Sequence, residues 1–180
     1  MRTATLVLAA YALGVVIAAC WRLLPASFLR DAVPELGALT AAYLGLTARR
    51  SLAPAVGGSV AIGYLADVIS GVPAGLAALV LGITCLVTRS AQQRILVRGA
   101  AMTMGFSAFV ALVAGLVGLV ARAASGIPVA AITVELSHLA LVAFATALIG
   151  PLVWRLFRRI DAAFARTHRE RDAALEGLVP

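Results

Sequence analysis

Charged residues are scarce in this chain. Only 13% of its 180 residues are charged and 62% are hydrophobic, whereas a soluble domain carries roughly 25% charged residues. Lysine is absent, so all fifteen basic residues are arginine. Because this composition leaves too few polar groups for a water-facing surface, it excludes an ordinary soluble domain and predicts an integral membrane protein.

Residues typical of catalytic and metal sites are also few. The two cysteines, Cys20 and Cys85, have no metal-site spacing and are too few for a disulfide framework, so we predict that both are unpaired. The sequence has no clustered histidines, no paired carboxylates and no glycine-rich loop before a lysine. We therefore expect no cofactor, no metal ion, no catalytic residue and no enzymatic activity.

Residues 17–20, Ile-Ala-Ala-Cys, are similar to a lipoprotein cleavage box, which would make the first apolar segment a signal peptide. Trp21 and Arg22 instead fit the interfacial end of a retained helix. We favour the retained helix, because five further apolar segments already hold the chain in the membrane.

Six apolar segments predict an all-α integral membrane fold with six transmembrane helices. A spanning helix needs about 20 mostly apolar residues. The third and fourth segments are short, and full crossing is favoured over a shallow re-entrant pair because they reach roughly 26 to 28 Å. The predicted segments are residues 3–24, 34–48, 51–69, 72–88, 99–121 and 132–154.

The arginines predict the orientation. If the chain starts in the cytoplasm, only Arg22, Arg30 and Arg122 fall outside, and the other arginines fall inside. Both termini are therefore expected in the cytoplasm, in a multi-pass protein of the bacterial cytoplasmic membrane. The net charge of +7 follows from this topology and does not indicate nucleic-acid binding.

Small residues repeat every four positions along several segments, which lets helix backbones approach closely. Gly37, Ala41 and Gly45 form such a stripe, and Gly63 forms another with Ser59. We predict helix packing at these glycines. Further pairs are Gly71 with Gly75 and Ala111 with Gly115.

The pattern changes after residue 154. Residues 1–154 form the predicted transmembrane domain, and residues 155–180 form a basic amphipathic cytoplasmic tail with Leu156, Ile160 and Phe164 on one face. This tail fits a helix lying along anionic lipid headgroups, and docking of a cytoplasmic partner is the alternative.

Polar residues within the segments are sparse. Ser59 and His138 could form a nucleophile and base, but they enter from opposite faces of the membrane, so the predicted depths disfavour a catalytic pair. Glu135 and His138 have the Glu-x-x-His spacing of metal-binding bundles. Such a site needs carboxylates from other helices, and none is expected nearby.

Asp67 is the most informative acid, because acids within membrane segments suggest function by default. It lies at the outer turn of the short hairpin formed by the third and fourth segments. Asp67 or Ser70 could cap the fourth segment, with Gly71 in the turn and Pro73 in the first turn of the helix. Contact with a partner or ligand is the alternative interpretation.

Residues 63–79, Gly-Tyr-Leu-Ala-Asp-Val-Ile-Ser-Gly-Val-Pro-Ala-Gly-Leu-Ala-Ala-Leu, resemble the signature region of the rod-shape-determining protein MreD family. The proline at the start of the second segment, the arginine pair before the hairpin and the final helix with Pro-Leu are similar too, so the resemblance loosely covers residues 1–165. The arginine-rich tail departs from the family.

The resemblance implies a fold similar to the S-components of energy-coupling-factor transporters. It also implies a scaffold of the cell-elongation machinery that binds MreC and acts beside MreB, RodA and its penicillin-binding transpeptidase, with membrane lipids around it. A homo-oligomer is left open. The residues expected to carry the motif or contact a partner are Asp67, Ser70, Gly71, Pro73, Gly75 and Leu76.

The sequence leaves two alternative functions. A substrate-binding subunit of a vitamin or small-molecule transporter would need a polar pocket near the outer face, supplied by Asp67, Glu135 and His138. A membrane peptidase would need Ser59 as its nucleophile.

Overall fold

The computed structural model describes residues 8, 9, 12–14, 16, 32–48, 52–71, 73–92 and 99–176, with side chains described as far as residue 164 except at Gln92. This part of the chain is helical and contains no strand, so the all-α prediction is confirmed. The described residues between 8 and 16 are helical and fall within the first predicted segment, and Cys20 with the cleavage-box residues lies outside the described part. Five helices have defined bounds: α1 (Leu36–Thr47), α2 (Ala53–Ser70), α3 (Leu76–Gln92), α4 (Ala100–Ala124) and α5 (Ile132–Glu176).

Among the described helices, three are long and apolar enough to cross a membrane: α2, α4 and the Ile132–Phe164 part of α5. They make the chain a membrane protein by helix length and composition. The 12-residue α1 extends only about 18 Å, less than the roughly 30 Å hydrocarbon core. The apolar part of α3 is also in the shorter class. Six complete crossings therefore stay a prediction.

The short helix α1 occupies the centre of the bundle. It contacts each of the other four helices with defined bounds, and every residue from Ala38 to Gly45 is buried. Small residues allow α1 to pack at the centre, because the short side chains of Ala38, Ala41 and Ala42 let neighbouring backbones come close. The second predicted segment is thus a core helix.

Buried hydroxyl groups are satisfied within their own helices. Thr40, Thr84 and Ser107 each donate a hydrogen bond to the carbonyl oxygen four residues earlier, at 2.7 to 2.8 Å. An apolar surrounding offers no water to such groups, so this bonding lets them be buried at low cost. These residues therefore belong to the packing of the bundle.

The last helix continues without interruption through Pro151 to Glu176. Its packed part extends beyond residue 154, since Phe157 is 1% exposed. Tyr43 of α1 contacts the rings of Trp154 and Phe157, with centroids 5.3 and 5.1 Å apart, and its hydroxyl donates a 2.6 Å hydrogen bond to Asp161. An aromatic cluster therefore joins the C-terminal end of α1 to α5.

Candidate functional site

Asp67 connects the two helices of the hairpin, α2 and α3, by hydrogen bonds. Its side chain lies near the end of α2 and is 3% exposed. The carboxylate accepts hydrogen bonds from the backbone N–H groups of Gly75 at 2.9 Å, Ala77 at 3.0 Å and Ala78 at 3.4 Å. These groups lie at the start of α3, where N–H groups lack partners within the helix. Asp67 thus caps α3 from the neighbouring helix, and Ser70 has no part in the described cap.

The turn between α2 and α3 depends on glycine backbone geometry. Gly71 ends α2 with a φ of +67°, and Gly75 precedes α3 with a φ of +106°. A Cβ atom at either position would have open space around it, so these residues are not a packing stripe. Their requirement is conformational, because left-handed φ values are costly for residues with a side chain.

The two hairpin helices meet at Gly63. A Cβ atom there would lie 2.5 Å from the carbonyl oxygen of Ala77 and from the backbone of Ala78, and these are the residues that Asp67 caps. Gly45 of α1 has the same role against α3, since its Cβ would lie 2.6 Å from the carbonyl oxygen of Cys85. Close backbone contact and the cap therefore act on the same part of α3.

The other residues of the predicted packing set have looser contacts. A Cβ atom at Gly37 would lie 3.2 Å from a methyl group of Leu81, and Ala41 is fully buried in α1. The Cys85 thiol is buried and free, as predicted.

An apolar groove of about 750 Å³ lies between α3 and α4 beside the hairpin turn. Three residues of the predicted contact set, Pro73, Gly75 and Leu76, line it. Leu79 and Val120 also line it and are 52% and 67% exposed. The groove therefore connects the hairpin motif to a surface that faces away from the bundle.

A second cavity, of about 100 Å³, lies between α4 and α5 beside Glu35, and it is called the polar cavity after the ionisable side chains in its otherwise apolar lining. Four ionisable side chains line it: Glu35, Arg122, Glu135 and His138. Arg122 and Glu135 form an ion pair at 3.2 Å, and Glu35 and His138 line the same cavity. No carboxylate from another helix was expected near Glu135 and His138, and the carboxylate that lines the same cavity, Glu35, comes from a non-helical segment.

Glu35 enters the bundle on a short non-helical segment. Residues 32–35 are not helical, and the Glu35 backbone N–H donates a 3.0 Å hydrogen bond to Thr146 Oγ1. Thr146 lies near the middle of the apolar part of α5, Ile132–Phe164. Non-helical backbone at such a depth occurs where it is buried in protein or lines a cavity. An acid directly after a proline in an apolar segment was the signal that could have identified Glu35 from the sequence.

The predicted nucleophile and base are not brought together. Ser59 is fully buried in α2, and its hydroxyl donates a 2.9 Å hydrogen bond to Ala55 of the same helix. His138 is exposed and lines the polar cavity, whose lining does not include Ser59. No group of three or more His, Cys, Asp or Glu side chains in the described part of the chain could hold a metal ion.

Comparison with protein-family models, curated proteins and solved structures gives no match to this chain.

Proposed function

We propose that this chain is a non-enzymatic scaffold of the bacterial cell-elongation machinery, embedded in the cytoplasmic membrane in the manner of MreD. In this proposal its partner is the membrane helix of MreC, and MreB, RodA and the penicillin-binding transpeptidase act in the same assembly. The observation that carries the proposal is the apolar groove beside the hairpin of residues 63–79, the region that resembles the family.

The chemistry of the groove fits a helix from a membrane protein. Leucine, isoleucine and valine side chains on α3 and α4 form its walls, and Pro73 and Gly75 lie at its end. Apolar helices gain little from leaving lipid, so association there depends on close packing and shape. A hairpin held by the Asp67 cap and the Gly63 contact offers a surface of defined shape.

A photocrosslinking pair tests this proposal. Leu79 lines the groove, whereas Leu148 on α5 does not, and both are 52% exposed. A photoreactive amino acid at each position, in cells that contain MreC, should crosslink MreC from position 79 and not from position 148. Equal crosslinking from the two positions, or crosslinking from position 148 alone, would contradict the groove as the MreC site.

A second experiment tests the hairpin. Gly75→Val places a β-branched residue at a φ of +106°, which distorts the end of the groove. MreC recovery in mild detergent should fall, and the variant should fail to restore rod shape in cells without MreD. Gly57→Val is the control, because a Cβ atom at Gly57 has open space around it. Undiminished MreC recovery with Gly75→Val would refute the hairpin's role.

The transporter-subunit alternative requires a pocket for a vitamin-sized ligand. Ligand pockets typically have about 300 to 1,000 Å³, and the polar cavity has about 100 Å³. This difference favours the scaffold over the vitamin-binding subunit. Thermal stabilisation by a vitamin, and not by unrelated solutes, would reverse that preference.

A further inference from the structure

Three exposed arginines lie on α5 at the end of its membrane-spanning length. From Ile132 to Arg155, α5 extends about 35 Å at 1.5 Å per residue, slightly more than the roughly 30 Å hydrocarbon core. Arg155, Arg158 and Arg159 are therefore level with the lipid headgroups. All three side chains are exposed, so their positive charges are on the surface of the bundle at that level.

The arginines continue a row of apolar side chains on the outer face of α5. Phe144, Leu148 and Leu152 are 60%, 52% and 66% exposed. Arg155 and Arg159 follow them at intervals of three and four residues, and positions at these intervals share one face of a helix. We call these five residues the α5 stripe. Because α5 has no break between them, the stripe is apolar along the membrane and cationic at its end.

The acid in this part of α5 faces away from the stripe. Asp161 is the only acid among residues 155–164, and its carboxylate accepts a 2.6 Å hydrogen bond from Tyr43 of α1. Arg158 Nε donates a 3.4 Å hydrogen bond to the carbonyl oxygen of Trp154, which draws its guanidinium back towards the preceding turn. Its two terminal nitrogens are left for another acceptor. Guanidinium groups arranged in this way favour an anion with several oxygen atoms.

A phospholipid with a net negative charge matches both parts of the stripe. Its acyl chain packs along Leu148 and Leu152, and its phosphate accepts N–H donors from Arg155 and Arg159, whose positions are about 6 Å apart along the helix axis. A soluble anion leaves the apolar part unused. Phosphatidylcholine places a quaternary ammonium group among the arginines, so its headgroup is repelled by the cationic part.

We infer that the α5 stripe, together with Arg158, binds one anionic phospholipid, with the phosphate held by the guanidinium groups and an acyl chain on the apolar side chains. This inference goes beyond the scaffold proposal and does not depend on MreC. The stripe belongs to α5, whereas the apolar groove lies between α3 and α4.

Native mass spectrometry of the full-length chain in mild detergent tests the inference, with dioleoyl phosphatidylglycerol and dioleoyl phosphatidylcholine as probes. The wild type should bind its first phosphatidylglycerol about a hundredfold more tightly than its first phosphatidylcholine, because each arginine contributes about fivefold. Arg155→Gln and Arg159→Gln should each weaken phosphatidylglycerol binding about fivefold and leave phosphatidylcholine binding unchanged. Glycerol phosphate, the soluble headgroup, should not displace the lipid.

The matched control is Arg169→Gln, which removes the same charge from α5 about 15 Å beyond Arg159 along the helix. This variant should keep the wild-type affinity for phosphatidylglycerol. Equal weakening by Arg159→Gln and Arg169→Gln would mean diffuse attraction to the whole tail and would overturn the inference. Equal affinity of the wild type for the two lipids, or displacement by glycerol phosphate, would overturn it as well.

A measurement on the wild type needs no variant to fold. Phosphatidylglycerol with a photoreactive group on its acyl chain should crosslink mainly to Phe144, Leu148 and Leu152. Val60 is the reference position, because it is also exposed and lies about 10 Å from the start of α2, as Leu148 does from Arg155. Equal crosslinking of Val60 and Leu148 would show an unselective lipid shell and refute the site.

Discussion

Gly63→Ala should destabilise the protein, although alanine is normally the better helix residue. Gly63 lies where α2 crosses α3, and a Cβ atom there would be 2.5 Å from the backbone of Ala77 and Ala78. Ordinary contacts of a Cβ atom begin at 3.4 Å. The two helices must therefore separate by about 1 Å, because backbone atoms, unlike a flexible side chain, cannot rotate away.

The cost follows from two effects of that separation. Overpacking of this kind costs about 1 to 3 kcal/mol. The Asp67 hydrogen bonds to Gly75 and Ala77, now 2.9 and 3.0 Å long, would stretch and lose about 1 kcal/mol of capping. The higher helix propensity of alanine offsets about 1 kcal/mol of this loss in free energy of unfolding. The net loss in free energy of unfolding is about 1 to 3 kcal/mol.

Gly57→Ala is the matched control on the same helix. A Cβ atom at Gly57 has nothing within 4 Å, so this variant should be neutral or more stable by up to about 1 kcal/mol. Unfolding in mixed micelles with increasing SDS, followed by circular dichroism, measures both variants. In a Cys20→Ser background, thiol labelling of the buried Cys85 reports on the opening of α3. Equal stability of the two variants would refute the close backbone contact.

Three further variants test other contacts. Asp67→Ala should lower the free energy of unfolding by about 2 kcal/mol, because several N–H groups at the start of α3 lose their acceptor. The control Ser70→Ala should change the free energy of unfolding by less than about 0.5 kcal/mol. A similar loss in both variants would contradict the cap. Tyr43→Phe should lower the free energy of unfolding in SDS by about 1 kcal/mol. It should add nothing in an Asp161→Ala background, where the acceptor of the hydrogen bond is absent. Gly45→Ala should accelerate labelling of the buried cysteine by pushing α1 from α3, and an unchanged labelling rate would argue against that contact.

The hairpin illustrates how far sequence reasoning extends. The order Asp67, Gly71 and Pro73 predicted a cap and a turn, and the cap is present with the acid as its acceptor. The interpretation of Gly71 and Gly75 as a packing stripe was wrong, because a spacing of four means packing only where the chain is helical. Sequence spacing alone does not show where α2 ends.

The polar cavity illustrates what sequence reasoning missed. Glu135 and His138 were identified as neighbours on one helix, since their spacing fixes that relation. Glu35 is a hundred residues earlier, and it joins them only because its backbone bonds to Thr146 when α1 packs into the bundle. Pairing across such a distance is set by helix packing, which short-range patterns do not encode.

By itself, the sequence determined that the chain is helical and that lipid surrounds much of it, because hydropathy and the scarcity of charge act residue by residue. Which apolar segment is central was decided only by the tertiary structure. The short α1, with its glycine and alanine residues, is buried by all four other defined helices, and its position brings Glu35 to the cavity of Glu135 and His138. Burial depends on the packing of neighbours, and several segments of this chain are equally apolar, so only their three-dimensional arrangement distinguishes the core helix from the helices that face lipid.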